Sequence, residues 1–255
     1  MVYQTVSSLC MPWIGLMNLP GSSSQTARAP IVGSQAATLL RRMSEYINSL
    51  GQFTFHVENT FDEVLSSNHK IQFGSTASVF VHRPDRYRAE ITGDFNNQQI
   101  FYDGKKVTLL DTDLNYYATL DAPQNIDAAL NQVIESFSLK PPLSDLLYNN
   151  TYDILMKDVK CGFHVGLHEI RGTECHHLAF RQHDIDWQIW VDNGNAPLPR
   201  KIIITQKNIA GAPQFTGLLS DWNVSSRFQD DFFSFSAPDN AQKIEFLPVD
   251  KTAVS

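Results

Sequence analysis

Between Gly33 and Leu50 the apolar residues Ala36, Leu39, Leu40, Met43, Ile47 and Leu50 recur at spacings of three and four, with Arg41, Arg42, Ser44 and Glu45 between them. That is the period of an amphipathic helix with one buried stripe. At Gly51 the period changes. Phe53, Phe55 and Val57 alternate with Thr54, His56 and Glu58, the two-residue repeat of a strand that buries one face. Further strand-like stretches run over about 70–82, 86–92, 97–103, 105–111 and 115–120, separated by the turn signals Arg83-Pro84-Asp85, Gly93-Asp94 and Asp103-Gly104. Connections this short join antiparallel neighbours, so a meander of hairpins is expected.

Over 124–148 the helical period returns, with Ile126, Ala129, Leu130, Val133, Ile134 and Phe137 on one face before Pro141-Pro142, and a short helix is predicted over Leu143 to Tyr148. Strands resume at about 159–168, 173–182, 185–192, 200–207 and 215–224. A Pro-punctuated tail carrying Phe233, Phe235, Ile244 and Phe246 is expected to cover a sheet edge. Helix, hairpins, helices, hairpins is the order of an α+β fold, whereas a parallel sheet needs helices between all its strands. The expectation is one large curved antiparallel sheet of about 10–11 strands, a half-open barrel with helices packed on its concave face.

Composition narrows the function classes. The 27 acidic against 20 basic residues give a net charge of −7 with no basic stripe, which excludes a phosphate-backbone partner such as nucleic acid. An aromatic content of 11% with 16 Phe fits a β-rich fold with much buried ring surface. The apolar stretch from Val6 to Leu19 is broken by Ser7, Ser8, Pro12, Gly15 and Asn18. With Gly21 to Ala29 read as a cleavage region and linker, residues 1–32 are expected to be a leader, in the form of a degenerate signal peptide, or a linker, and 33–250 a single domain. Cys10 follows Leu9, where a lipid-modified cysteine wants a small residue. No window reaches the roughly 20 apolar residues of a transmembrane span.

Asp186-Trp187-Gln188-Ile189-Trp190-Val191-Asp192, then Pro197-Leu198-Pro199-Arg200-Lys201, then Asp221-Trp222, then Phe235 with Pro238 form an ordered set of short motifs. Phe101-Tyr102-Asp103-Gly104-Lys105 followed by Tyr116-Tyr117 precedes them. Together they resemble a family of predicted periplasmic proteins of unknown function grouped with the LolA/LolB lipoprotein carriers, over about residues 33–248. The resemblance implies a half-open barrel closed by helices, an exported periplasmic location, and a concavity of the kind that holds acyl chains or lipid anchors in that fold group. It implies fold more firmly than activity.

Strand parity supplies candidate residues. Phe53, Phe55 and Val57 share a face, as do Phe163 and Val165, Leu178 and Phe180, and Trp187 and Ile189, and all are expected to point inward. Trp187 and Trp190, three apart on a strand, face opposite ways. Such a face is either filled by helices or held open for a ligand, and the two cases share one sequence pattern. The lid candidates are Ile126, Leu130, Ile134, Phe137, Leu146 and Leu147.

The hairpin from Cys161 to His183 collects most of the histidines. With Arg171-Gly172 as its turn, Phe163 pairs with Phe180, Val165 with Leu178, His168 with Cys175 and His177 with Gly166. This register puts His164, His168, Cys175 and His177 on one surface, either a weak metal set or the wet face of a strand pair. It sends Cys161 and Cys175 to opposite faces, which excludes a disulfide.

There is no Gly-x-Ser-x-Gly elbow, phosphate-binding loop or metal motif with a visible supporting shell. The sequence therefore reads as a non-catalytic binding protein without a cofactor. Its partner is a hydrophobic ligand (lipid, acyl chain or lipidated peptide) or another envelope protein docking on a filled-core module.

Overall fold

The computed structural model describes residues 31–137 and 143–246. The stretch over 1–30 expected as leader or linker, Cys10 included, and Pro141-Pro142 lie outside the described residues. Strand β1 (Ile31–Val32) and helix α1 (Ser34–Ser49) open the fold. The first meander is β2 (Gln52–Val64), β3 (Lys70–His82), β4 (Arg86–Gly93), β5 (Gln98–Tyr102), β6 (Lys106–Asp111) and β7 (Tyr116–Asp121). Helix α2 (Ile126–Phe137), a 3-10 turn (Ser144–Leu146) and α3 (Thr151–Met156) follow. The second meander is β8 (Cys161–Ile170), β9 (Thr173–Arg181), β10 (Ile185–Asp192), β11 (Pro199–Gln206) and β12 (Gln214–Asn223), and β13 (Gln242–Ile244) is the last strand among the described residues.

All thirteen strands form one open sheet in the order β1-β8-β9-β10-β11-β12-β2-β3-β4-β5-β6-β7-β13. Every pairing is antiparallel except the two outermost, where β1 and β13 lie parallel to β8 and β7. The eleven strands expected from hydropathy are β2 to β12, and the two additional ones are short edge strands. Ile31-Val32, at the end of the stretch expected as leader or linker, pairs with Cys161-Gly162 in the sheet. The helix expected over Leu143 to Tyr148 is only the 3-10 turn, and α3 carries no strong sequence signal.

Pairing registers define the inner face. Phe53, Val81, Tyr87, Tyr102, Val107 and Leu120 stand opposite one another in one row across β2 to β7. Leu178, Ile189 and Ile202 form a similar row across β9 to β11. Helix α1 lays Ala36, Leu40, Met43 and Ile47, all fully buried, onto this face, and α2, the 3-10 turn and α3 join the same core. A large side chain buried in this way contributes about 1.5–3 kcal/mol, so the helices are held chiefly by this contact.

The convex face is covered by the chain after β12. Arg88 lies between Phe101 (4.7 Å) and Phe232 (4.9 Å). Phe235 packs on Phe101 and Tyr117 at 5.4 and 5.0 Å, and Phe233 is fully buried. The tail thus does more than cover an edge. Its strand β13 caps β7, while its rings form a second apolar layer on the back of the sheet.

Candidate functional site

Of the residues expected inside, Phe53, Phe55, Val57, Leu178, Phe180, Trp187 and Ile189 share the concave core, none more than 5% exposed. Trp187 stacks on Phe180 with centroids 4.2 Å apart. Trp222, which parity reading passes over, also faces inward. A break in the β12–β2 ladder at Asp221, whose φ is +51°, turns Trp222 onto Phe55 at 4.5 Å, and its Nε1 donates to the Pro199 carbonyl at 3.1 Å.

Phe163 and Val165 do not belong to this group, being 57% and 42% exposed. The expected register holds from the Arg171-Gly172 turn, where both residues have positive φ, out to Gly166 opposite His177. Val165 is then looped out as a β-bulge, so Phe163 falls opposite Ala179 and His164 opposite Leu178. An extra residue on one strand flips every later side chain to the other face. Gly162 takes the inward station opposite Phe180, whose ring occupies the space where a Cβ would sit, 2.3 Å away.

The segment expected to act as a lid is anchored at one end. Ile126, Leu130, Leu146 and Leu147 are buried, while Ile134 and Phe137 are half-buried. Phe137 meets Phe246 with centroids 5.0 Å apart. The amide of Ile126 donates to the Pro84 carbonyl at 3.0 Å. Arg83 donates to the Leu147 carbonyl at 2.7 Å and to Asn149 Oδ1 at 2.8 Å, and Asp127 accepts from the Asn149 amide at 3.1 Å. Burial lowers the Arg83 pKa, and the charge of Asp127 opposes that. Tyr148 donates to Asn131 Oδ1 at 2.8 Å, with its phenol pushed up to about 12, first by burial.

At the other end of β2 and β3 the apolar face continues outward. Phe61 stands opposite Phe73, with centroids 6.0 Å apart. Phe95 from the β4–β5 loop closes the trio, 4.3 Å from Phe73 and 5.9 Å from Phe61. Phe95 is 54% exposed, and Ile71, one inward station farther along β3, is 41% exposed. The sequence reading missed this trio because Asn59 interrupts the alternation in β2 and Phe95 lies in a loop. Asn59 itself faces inward, opposite Ser75 and Gly217. Its Nδ2 donates to Ser75 Oγ at 3.4 Å, while its buried Oδ1 has no partner among the described residues.

The histidine hairpin splits its predicted set between two faces. On the convex side His168 and His177 meet, Nδ1 to Nδ1, at 3.1 Å. On the concave side His164 meets His176 at 3.2 Å, because the bulge moves His164 across. Cys175 is buried, its Sγ donates to the Thr173 carbonyl at 3.4 Å, and burial pushes its thiol up to about 11. Among the described residues no group of three or more His, Cys, Asp or Glu is placed to hold an ion, so the four-ligand set is not assembled. Cys161 and Cys175 are both free. The bulge leaves them on one face rather than on opposite ones, but at separate stations, opposite Arg181 and His168. Trp190 stacks on His177 at 3.9 Å, with Lys201 Nζ 4.8 Å from its ring.

Residues 36–247 match the family model described as predicted periplasmic protein, DUF2092. The chain belongs to the DUF2092 family. This bears out the periplasmic location expected from the motifs. Among the described residues no helix is long and apolar enough to cross a membrane. No curated protein sequence matches this DUF2092 member.

Solved structures similar to it include LprF from Mycobacterium bovis, at 11% identity and TM-score 0.48, covering 82% of this chain and 98% of that one. MucB is similar at 17% identity and TM-score 0.43, covering 81% and 65%. The LolA superfamily protein NE2245 from Nitrosomonas europaea is similar at 13% identity and TM-score 0.37, covering 78% and 97%. These are distant likenesses, and the DUF2092 fold described above stands on its own strand order.

Proposed function

We propose that this DUF2092 protein is a non-catalytic periplasmic binding protein that takes an acyl chain or lipid between its concave face and the α2–α3 lid. The observation that carries this reading is the apolar face running out from under the helices into the exposed Phe61, Phe73 and Phe95 trio. Exposed ring surface of this kind is costly unless something covers it. An alkyl chain entering at Phe95 would run inward over Phe61 toward Phe55 and Trp222. Asn59 lies along that path, and its unpartnered Oδ1 suits a hydroxyl or amide N–H carried part-way along the chain. The lid is held by Arg83 and Asp127 at its β3–β4 end, by Thr151 bonded to Asn48 of α1 at 2.8 Å, and at the end of α2 by the ring contact of Phe137 with Phe246, the contact a ligand would have to part.

The test is native mass spectrometry, with lipid extraction, of the protein purified from its own envelope, followed by binding of a fluorescent fatty acid. A co-purifying acyl species, and binding weakened in F95D and N59L variants that keep the wild-type circular dichroism, are expected. A ligand-free protein that ignores the probe sinks the reading.

A second reading, docking of another envelope protein, is favoured by β8. Beyond Gly162 this strand has no neighbour on its outer side among the described residues, and it exposes Phe163, Val165 and Leu167. An open strand edge with apolar side chains accepts an added strand. Protection of β8 amides from hydrogen exchange on adding an envelope extract separates this reading from the first.

A further inference from the structure

The convex side of the β8–β9 hairpin holds two imidazoles in an arrangement that proton sharing alone does not require. His177 is fixed on three sides. Its ring lies 3.9 Å from the face of Trp190 and 12° from parallel, its Nε2 is 2.9 Å from Gln188 Oε1, and the residue is only 9% exposed. Gln188 Oε1 accepts only, so Nε2 carries the hydrogen and Nδ1 presents a lone pair. That lone pair points at Nδ1 of His168, 3.1 Å away on an exposed side chain. A fixed imidazole whose distal N–H is tied to an oxygen acceptor is the arrangement that orients metal-ligating histidines.

From these contacts we infer that His168 and His177 form a two-imidazole chelate for a borderline divalent transition ion, Zn2+ or Cu2+. A tetrahedral ion with metal–nitrogen bonds of about 2.0–2.1 Å holds its two nitrogens about 3.3–3.4 Å apart, so with His177 fixed the exposed His168 ring has to swing about 2 Å off the line between the two Nδ1 atoms to bring both onto one ion. The ion takes the place of the single hydrogen shared between the two Nδ1 atoms, that hydrogen moves to Nε2 of His168, and the remaining positions are filled by water on the open side of His168. No redox step is involved. Cys175 stays outside the set because its buried Sγ is turned to the Thr173 carbonyl. Imidazole suits both ions, with Cu2+ the stronger binder. The site lies on the opposite face from the acyl groove and stands independently of that reading.

The experiment is calorimetric titration of the purified protein with Zn2+, paired with quenching of tryptophan fluorescence by Cu2+, which Trp190 reports through its stack on His177. One ion per chain is expected, with no net proton released at about pH 8, because each ring keeps its one hydrogen on Nε2. H168A alters an exposed residue and should weaken binding at least tenfold, and Q188L, which frees the distal nitrogen, by roughly tenfold. H164A, on the other face, should bind as the wild type does. In W190F the calorimetric stoichiometry should persist while most of the quenching disappears. Wild-type affinity in H168A, absence of binding in the wild type, or loss of binding in H164A each overturns the assignment.

Discussion

The hairpins β2–β3 and β8–β9 start from the same kind of sequence and end differently. In β2–β3, two 13-residue strands pair without interruption, so Phe53, Phe55, Val57 and Phe61 all reach the concave side. In β8–β9 the ladder slips at Val165, and Phe163 and Val165, which look like core, face solvent. Parity therefore predicts burial only as far as the register is continuous. The inward stations lost by β8 are supplied from its neighbours: Phe180 fills the space over Gly162 and stacks on Trp187.

The sharpest way to break this contrast is truncation. Phe53→Ala removes a fully buried ring and should cost about 3–5 kcal/mol, whereas Phe163→Ala, at an exposed site, should stay within about 0.5 kcal/mol. Urea unfolding measures both, and equal costs would mean that the bulge is misplaced. Next in size is Gly162→Ala. Its Cβ would sit 2.3 Å from a Phe180 ring already held against Trp187, an overpacking of about 1–3 kcal/mol. Gly51→Ala, where a Cβ meets nothing within 4 Å, is the matched control.

A smaller effect separates the hairpins by pH. Burial is the largest cause lowering the pKa of both His176 and His177; the charge of a neighbouring imidazole adds to it, and hydrogen bonds to Asn193 and Gln188 oppose it. The unfolded chain then binds more protons than the folded one on the acid side of about 6.5. The stability due to these neutral rings is complete above that pH and is lost as pH falls through the lowered folded values. The urea midpoint of the wild type should drop between pH 7.5 and 5, and H177Q should flatten that drop. An unchanged slope in H177Q would show that the pair does not report on folding.

The smallest expected effect is that of Glu58→Gln. It breaks the paired contacts of Arg171 with Glu58 (2.8 and 2.7 Å), which join the tip of β8–β9 to β2 in full solvent, and the unfolding midpoint should stay put. A clear shift would make that contact a structural tie between the hairpins.

Hydropathy alone makes β2 to β12, α1 and α2 legible because each buries a regular stripe. The departures come from single residues that the pattern does not mark. Val165 and Asp221 break the ladders at bulges, which moves Phe163 out and Trp222 in. Phe95 reaches the concave trio from a loop, and α3 is too short for its periodicity to register. The seven residues expected to point inward that do so lie where the register runs unbroken from a turn or across a full strand. The histidine set divides because its outermost member, His164, lies beyond the bulge.

The seam between β12 and β2, where Phe61 faces Phe215, also shapes how the chain reaches this structure. Either meander can assemble from hairpins closed by neighbours in sequence, but the seam must bring together strands from opposite ends of the chain. Long-range closure of this kind comes late and sets a slow folding rate. During that interval β2 and β12 both present bare edges beside half-covered aromatic rings. The time the newly exported chain spends before the seam closes is when it is most exposed to aggregation, and when a periplasmic chaperone would have most to protect.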